Sequence, residues 1–339
     1  MKPLFIAPIA LLGLWLPACG EQPSTATSGG DARPDVVYAA TDELVIGHLR
    51  VNSSSVFVTT VDLAGGVRRL VRVDRETRAR KVLTERPLEL SLGDVFVTDS
   101  EVFFTEREKS CSGCFANAGW IRRVSVDGGE VSTLTVLDSS APHRLVAAGG
   151  YIWFTDVNRL RRISMGGGPP ETLLSSAHDH ELVASHTTVY FQGPGRIDGV
   201  PFAETAASEL VPTDASLVAL VAHGGFVYWA SGYGEQSAIR RISESGGLTR
   251  VLATEVGVGV LLNFAVGPAL FFTDWGKGVC AGQLVRVDLE TSERAVWASE
   301  LCQPLEVAVD VDDVFFLAKP GVDSQTGAIL RVSASATPE

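Results

Sequence analysis

The sequence lacks the features that mark nucleic-acid-binding proteins and several classes of enzyme. It has 28 Lys and Arg residues against 40 Asp and Glu, a net charge of −12, and no run of basic residues. Because nucleic acid is bound through basic patches, such a partner is not expected. The chain also contains no Gly-x-Ser-x-Gly, no His-Glu-x-x-His and no phosphate-binding glycine loop. Three common catalytic motifs are therefore missing.

No apolar run near the N-terminus is long enough to cross a membrane as a helix. The run from Leu4 to Leu16 has 13 residues and is interrupted by Pro8, whereas a spanning helix needs about 20. It predicts a signal peptide over residues 1–18. Residues 21–34 contain no aliphatic side chain larger than alanine. Their composition predicts a flexible tether in front of a folded domain.

The junction between these two segments, Leu16-Pro17-Ala18-Cys19-Gly20, resembles the lipobox of bacterial lipoproteins. Pro17 departs from the pattern, since a small residue other than proline is commoner there. The resemblance implies cleavage before Cys19 and lipidation of its thiol, so that residues 19–34 form a lipidated tether. Gly20, in place of Asp, is similar to the outer-membrane sorting pattern of Gram-negative lipoproteins, which implies an exported protein anchored in the bacterial cell envelope. Ordinary secretion with cleavage near Ala18 is the alternative.

A pattern of short strands recurs along the rest of the chain. Each copy contains an aromatic residue in a strand that ends in Thr-Asp or an equivalent pair. These marker aromatics are Phe57, Phe103, Trp153, Tyr190, Tyr228, Phe271 and Phe315, with spacings of 46, 50, 37, 38, 43 and 44 residues. Four apolar runs per copy, repeated every 40 to 45 residues or so, are the signature of a β-propeller. The markers predict an all-β, monomeric, seven-bladed propeller of four-stranded antiparallel blades over residues 35–339.

The last copy lacks a fourth strand, because only residues 334–339 follow Ser333. The run from Val36 to Ala39 matches the missing strand. We therefore expect this N-terminal run to form the outer strand of blade seven and to close the ring. An open sandwich or a two-domain β protein is the alternative.

Three of the copies carry motifs of a known family: Trp153-Phe154-Thr155-Asp156, Tyr228-Trp229-Ala230-Ser231 and Phe271-Phe272-Thr273-Asp274-Trp275. With the Arg-containing strands and Gly-Gly turns that follow, they resemble YWTD-type propeller repeats of extracellular receptors and the related repeats of bacterial propeller lipoproteins, over residues 36–333. YWTD propellers have six blades, so the seven markers favour the bacterial group. The resemblance implies a non-catalytic binding or scaffold role, with an envelope or extracellular protein as partner.

Four cysteines remain after Cys19. An even number in an oxidising exported compartment suggests disulfides. We expect Cys111 and Cys114 in the loop between the second and third strands of blade two. Cys280 falls in the same loop of blade six, and Cys302 in the connection that leaves this blade. The candidate disulfides are Cys111–Cys114 and Cys280–Cys302.

Polar residues are predicted to form a crescent at the mouth of the central channel. His143 and His180 each precede their marker aromatic by 10 residues, where the innermost strand begins. The residue that directly follows this position in each of the seven blades, taken in order, is His48, Asp94, Arg144, Glu181, Ala219, Leu262 and Glu306. With His178 and Asp179, these residues could hold a metal ion or a small polar ligand, and a solvated rim of loop residues is the alternative. No cofactor is expected other than such a metal, and a metal-dependent hydrolase or lyase at the channel mouth is the alternative function.

The Thr-Asp and Thr-Glu pairs and the Arg-Arg pairs recur from copy to copy. Catalytic groups occur once, whereas groups that stabilise a repeat occur in each copy. We therefore expect acids such as Glu106 and Asp156 to bind turn amides or a neighbouring arginine.

Overall fold

The computed structural model describes residues 34–40, 43–108, 118–137, 141–156, 159–175, 181–213, 217–232, 237–254, 256, 264–276, 278, 280–319 and 327–334. These residues form seven four-stranded antiparallel sheets. The predicted seven-bladed β-propeller is confirmed.

In blades one to six, strands follow one another in chain order from the inner to the outer edge of the sheet, whereas the outer strand of blade seven is the N-terminal strand. Blade one contains β2 (Leu44–Val51), β3 (Ser55–Asp62), β4 (Val67–Asp74) and β5 (Arg80–Pro87). Blade two contains β6 (Leu90–Val97), β7 (Glu101–Glu108), β8 (Gly119–Ser125) and β9 (Ser132–Leu137). Blade three contains β10 (Leu145–Ala148), β11 (Tyr151–Asp156), β12 (Arg159–Ser164) and β13 (Glu171–Leu174). Blade four contains β14 (Leu182–Ala184), β15 (Thr188–Gly193), β16 (Arg196–Pro201) and β17 (Ser208–Pro212).

The remaining three blades follow the same order. Blade five contains β18 (Leu217–His223), β19 (Phe226–Ser231), β20 (Ala238–Ser243) and β21 (Arg250–Thr254). Blade six contains β22 (Phe264–Val266), β23 (Leu270–Asp274), β24 (Gly282–Val287) and β25 (Arg294–Leu301). Blade seven contains β26 (Val307–Val309), β27 (Asp313–Ala318), β28 (Ala328–Ser333) and the N-terminal strand β1 (Asp35–Ala39).

The N-terminal strand closes the ring as predicted. β1 pairs with β28 in antiparallel register, with Asp35 opposite Arg331 and Ala39 opposite Ala328. Arg331 Nη2 lies 3.0 Å from Asp35 Oδ2. Val37 of β1 is buried among side chains of blades one and seven, so this strand joins the two ends of the folded chain.

The hydrophobic core is distributed around the ring. Seven clusters of buried side chains each lie between two successive blades, as in the cluster of Trp153, Val146, Val189 and Phe191 between blades three and four. All seven marker aromatics are at most 3% exposed. Each blade buries its faces only against the neighbouring blades. The marker aromatics fill these interfaces, so they stabilise the fold and are framework residues.

The two ends of the antiparallel blades form two faces of the propeller. Inner strands begin on the same face as the β3–β4 and β7–β8 connections, and we call this face the mouth face. No helix in the part of the chain that the structure describes is long and apolar enough to cross a membrane.

Candidate functional site

The mouth of the channel brings together polar residues from blades that are distant in sequence. Ion pairs and hydrogen bonds join the predicted positions His48, Asp94, Arg144, Glu181 and Glu306. We call these five residues and Arg50 the mouth cluster. The predicted candidates His178, Asp179 and His180 lie outside the described residues, as does Leu262.

Asp94 connects three blades. The Arg50 Nη2 group of blade one donates to its Oδ1 at 2.8 Å, and the Leu145 backbone N–H of blade three donates to its Oδ2 at 2.9 Å. His48 Nδ1 lies 3.8 Å from Oδ1. Asp94 is itself only 4% exposed. A buried carboxylate is stable only when paired, and Asp94 obtains its partners from both neighbouring blades.

Glu306 joins blade seven to blade one through an irregular turn of the β2 backbone. The consecutive N–H groups of His48 and Leu49 donate to its two carboxylate oxygens at 2.8 and 2.7 Å. In a regular strand successive N–H groups point in opposite directions, but Gly47 and His48 have φ angles of 126° and 58°. The positive φ values turn both N–H groups to one side, where they form an anion-binding nest. A Cβ atom on residue 47 would lie 2.6 Å from Glu306 Oε1, so glycine is required there.

Among the described residues, Glu181 has fewer hydrogen-bond donors around its carboxylate than Asp94 and Glu306 have. Arg144 Nη2 donates to its Oε1 at 2.9 Å. Backbone N–H groups bind both Asp94 and Glu306, whereas Glu181 depends on this arginine. Arg144 is in turn attracted by all three carboxylates, which raises the pKa of its guanidinium although burial acts to lower it.

The pKa values of Asp94 and Glu181 are shifted in opposite directions. Burial acts to raise the pKa of Asp94, but Arg50, His48 and Arg144 together hold it well below its usual range. Burial and the charge of Asp94 raise the pKa of Glu181 from 4.5 to about 7, against the opposing effect of Arg144. Glu181 therefore exchanges a proton near neutral pH, and perturbed groups of this kind mark functional sites.

The raised pKa of Glu181 predicts a pH dependence of stability. The folded protein binds this proton more tightly than the unfolded chain, so the group's contribution is fully present below pH 4.5 and is lost as the pH rises to about 7. The shift corresponds to at most about 3 kcal/mol. Glu181→Gln cannot ionise, so we expect its free energy of unfolding, relative to wild type, to increase by about 1–3 kcal/mol between pH 4.5 and pH 8. Urea unfolding at both pH values measures this change.

Glu171→Gln is the matched control for this substitution. Glu171 also binds an arginine, with Arg162 Nε at 2.8 Å, but its side chain is 51% exposed. Exposed pairs contribute less than about 1 kcal/mol, so its substitution is expected to change stability little at either pH. A pH-independent effect of Glu181→Gln would contradict the raised pKa.

Arg50 belongs to the mouth cluster but was not among the predicted site residues. It pairs across the inner two strands with the marker aromatic Phe57. The corresponding partners of the other six marker aromatics are apolar: Phe96, Val146, Val183, Val221, Ala265 and Ala308. A charge at this otherwise apolar position was the signal that could have identified Arg50 from sequence.

Two cavities adjoin the mouth cluster. The first, of about 330 Å³, is the central channel, where Arg50, Arg144 and Glu181 face apolar residues of blades four to six such as Leu220 and Phe264. The second, of about 650 Å³, lies on the mouth face over blades one and two and reaches His143 and Arg144 of blade three. We call this second cavity the mouth groove. Both volumes are in the range of small-molecule sites.

The residues that the structure describes do not form a group of three or more His, Cys, Asp or Glu side chains suited to a metal ion. His48 and His143 both line the mouth groove. The carboxylates beside them are already bound by arginines and backbone N–H groups. These residues therefore fit a polar ligand better than a metal, which needs three or four converging ligands.

The recurring acids are framework residues, as predicted. Glu106, fully buried, lies 2.8 Å from Arg86 Nε and 2.7 Å from Arg122 Nε. Asp156, also fully buried, pairs with Arg159 and Arg161. Asp274 accepts a hydrogen bond from the turn N–H of Gly276 at 2.9 Å. These carboxylates connect strands and blades and do not line the two cavities.

A disulfide joins Cys280 to Cys302. It links the β23–β24 connection of blade six to the segment that leads into blade seven, both on the mouth face. The other candidate pair, Cys111–Cys114, lies outside the described residues.

Comparisons with known proteins agree on the fold. No protein-family model matches the chain, and no curated protein sequence matches it. An uncharacterised protein from Listeria monocytogenes superposes with a TM-score of 0.56 at 10% identity, covering 85% of this chain and 94% of that one. An oligogalacturonate lyase in complex with manganese gives 0.55 at 12% identity, covering 73% and 77%. A nidogen–laminin complex gives 0.49 at 16% identity, covering 68% and 90%. At 10% and 12% identity, the likeness to the Listeria protein and to the lyase supports the fold, a β-propeller, and says nothing about activity.

Proposed function

We propose that this protein is a non-catalytic binding propeller, exported and anchored to the bacterial envelope through lipid on Cys19, with the mouth face as its binding surface. The observation that carries the proposal is the mouth groove beside the channel. Features that differ between blades, including the mouth cluster and the disulfide, concentrate on this face. Features shared by the blades are buried as framework.

The groove carries an exposed apolar side chain, which suits contact with an envelope or extracellular partner. Leu63 lies at its edge and is 62% exposed. On the opposite face, Leu248 lies in a β20–β21 turn and is 97% exposed. These two leucines have the same chemistry on opposite faces, so together they distinguish the faces experimentally.

Site-specific photo-cross-linking tests which face binds. With a photoreactive amino acid at position 63 or 248, we expect cells of the source bacterium to yield cross-linked adducts from position 63 and none from position 248. Cys19→Ser should move the protein from the membrane fraction to the soluble fraction. Adducts from position 248 alone would contradict the proposed binding face, and a membrane-bound, normally processed Cys19→Ser protein would contradict the lipid anchor.

A hydrolase or lyase with its site at the channel mouth is the second candidate function. Glu181 supports it, because a carboxyl that exchanges a proton near pH 7 beside a cavity suits general acid–base chemistry. The fold is also similar to that of the manganese-bound oligogalacturonate lyase. Metal analysis of the purified protein, followed by substitution of His143 and His180 by alanine, separates the two candidates. A bound metal that is lost on substitution would favour the enzyme.

A further inference from the structure

We propose that the mouth groove binds a small polyanion, carrying two or more carboxylate or phosphate groups, through Arg68 and Arg107. The inference specifies the ligand chemistry of the proposed binding face and so rests on the proposed function. It follows from the charges in the groove, from the contacts of these two arginines and from the size of the cavity.

The charges in the groove favour an anion, although the whole protein has a net charge of −12. The ionisable side chains that line it among the described residues are His48, Arg68, Asp94, Arg107, His143 and Arg144. Asp94 is paired with Arg50 at 2.8 Å, and Arg144 with Glu181 at 2.9 Å. The charges of Arg68 and Arg107 are therefore not compensated by any described residue that lines the groove.

Arg68 occupies a position that is unfavourable without a ligand. Its Nε atom is buried and has no hydrogen-bond partner. On the adjacent strand it lies directly opposite Arg86, and like charges in this arrangement repel each other. Arg86 has its own partner in Glu106, with Nε and Oε1 2.8 Å apart. Buried donors without partners are rare in native proteins, and Arg68, which has such a donor, also lines the groove.

Arg107 adds a second cationic group on the opposite wall. It lies near the end of β7 in blade two and is exposed, whereas Arg68 lies near the start of β4 in blade one. Within the described part of the chain neither arginine forms an ion pair. Guanidinium groups bind carboxylates and phosphates through paired hydrogen bonds. Two such groups from separate blades suit a ligand with at least two anionic groups.

The size of the groove suits a small molecule. Its volume of about 650 Å³ matches the usual range for such sites. Distant acidic side chains of the protein act weakly on a bound anion, because charges separated by more than roughly 10 Å are screened at physiological salt. The two local arginines therefore dominate.

Titration calorimetry with citrate and with inorganic pyrophosphate tests the proposal on the full-length protein purified in detergent. The two probes distinguish a carboxylate from a phosphate ligand. We expect at least one of them to bind and Arg68→Gln and Arg107→Gln each to weaken it by about tenfold or more. Binding should also weaken as sodium chloride is raised from about 0.05 M to about 0.5 M.

Three controls make a negative result informative. Arg294→Gln removes the same charge from the exposed outer strand of blade six and should leave binding unchanged. Triethyl citrate, which has the same skeleton without charges, should not bind. Arg68→Gln should unfold at the same urea concentration as wild type or a higher one, because it removes the repulsion by Arg86.

The outcomes separate this inference from the proposed function. If neither probe binds, or if binding is unaffected by Arg68→Gln and Arg107→Gln, the polyanion proposal is wrong. Cross-links from position 63 would then still support the mouth face as a binding surface. Arginine-dependent binding of a probe without cross-links from position 63 would keep the anion site and reject a macromolecular partner on this face.

Discussion

Val37→Asp is expected to lower the free energy of unfolding by about 3–5 kcal/mol, because it removes a buried aliphatic side chain and places a charge in an apolar cluster. Val37 is 3% exposed and packs between blade one and blade seven, in the cluster that contains Leu49, Phe315 and Ile329. β1 is the strand that joins the chain's N-terminal segment to the last blade. Loss of the packing of Val37 should open the ring where β1 pairs with β28. Urea unfolding at pH 7 measures the change.

Val36→Asp is the control, because Val36 precedes Val37 on the same strand and is 44% exposed. The two substitutions introduce the same charge on opposite sides of β1. Surface substitutions of this kind usually change stability by less than about 1 kcal/mol. Equal midpoints for the two variants would mean that β1 does not close the ring in solution. If hydrogen exchange of β28 is faster in Val37→Asp alone, the structure has opened where β28 pairs with β1.

Asp94→Asn is expected to destabilise the protein by about 2–3 kcal/mol, since it leaves buried donors without acceptors. Both oxygens of Asp94 accept hydrogen bonds, from Arg50, Val95 and Leu145. Asparagine keeps the shape but has one acceptor oxygen, so its NH₂ group must face at least one of these donors. Arg50 is 35% exposed and can regain water, which limits the loss. Urea unfolding again gives the measurement.

Asp127→Asn tests whether burial is responsible for this effect. Asp127 also pairs with an arginine, Arg72, at 2.7 Å, but its side chain is 80% exposed. Exposed pairs contribute less than about 1 kcal/mol. Because the pKa of Asp94 is lowered, its contribution is present above its ordinary pKa and is lost only in strong acid. Asp94→Asn also removes a charge that raises the pKa of Glu181, so its loss of stability should be somewhat smaller at pH 8 than at pH 5. A loss no larger than that of Asp127→Asn would contradict the role of Asp94 in joining blades.

The fold was predictable because the same sequence pattern occurs seven times in the chain. Seven aromatics at similar spacings each report the same local environment, so one ambiguous copy does not alter the result. The closing strand was predictable for a related reason, since the last copy is one strand short and Val36 to Ala39 supply it. The structure adds an irregularity of register between Val36 and Tyr38, which the repeat pattern did not indicate.

The site was predictable only in part. Alignment to the marker aromatics located His48, Asp94, Arg144, Glu181 and Glu306 at one end of the blades. It did not indicate that Arg50 would bind Asp94, because this contact joins two blades 44 residues apart in the chain. It also did not identify Arg68 or Arg107, which lie on different strands from the aligned positions. Such pairs depend on how neighbouring blades pack, which a repeat pattern does not specify.

The sequence by itself determined the all-β class, the number of blades, the strand that closes the ring and the structural role of the recurring acids, since these follow from local periodicity. Only the tertiary structure decided which groups bind the carboxylates of the mouth cluster and which two groove arginines form no ion pair with a described residue. The state of a charge depends on the groups around it in space, and here those groups come from blades that are neighbours in the ring but far apart in the chain.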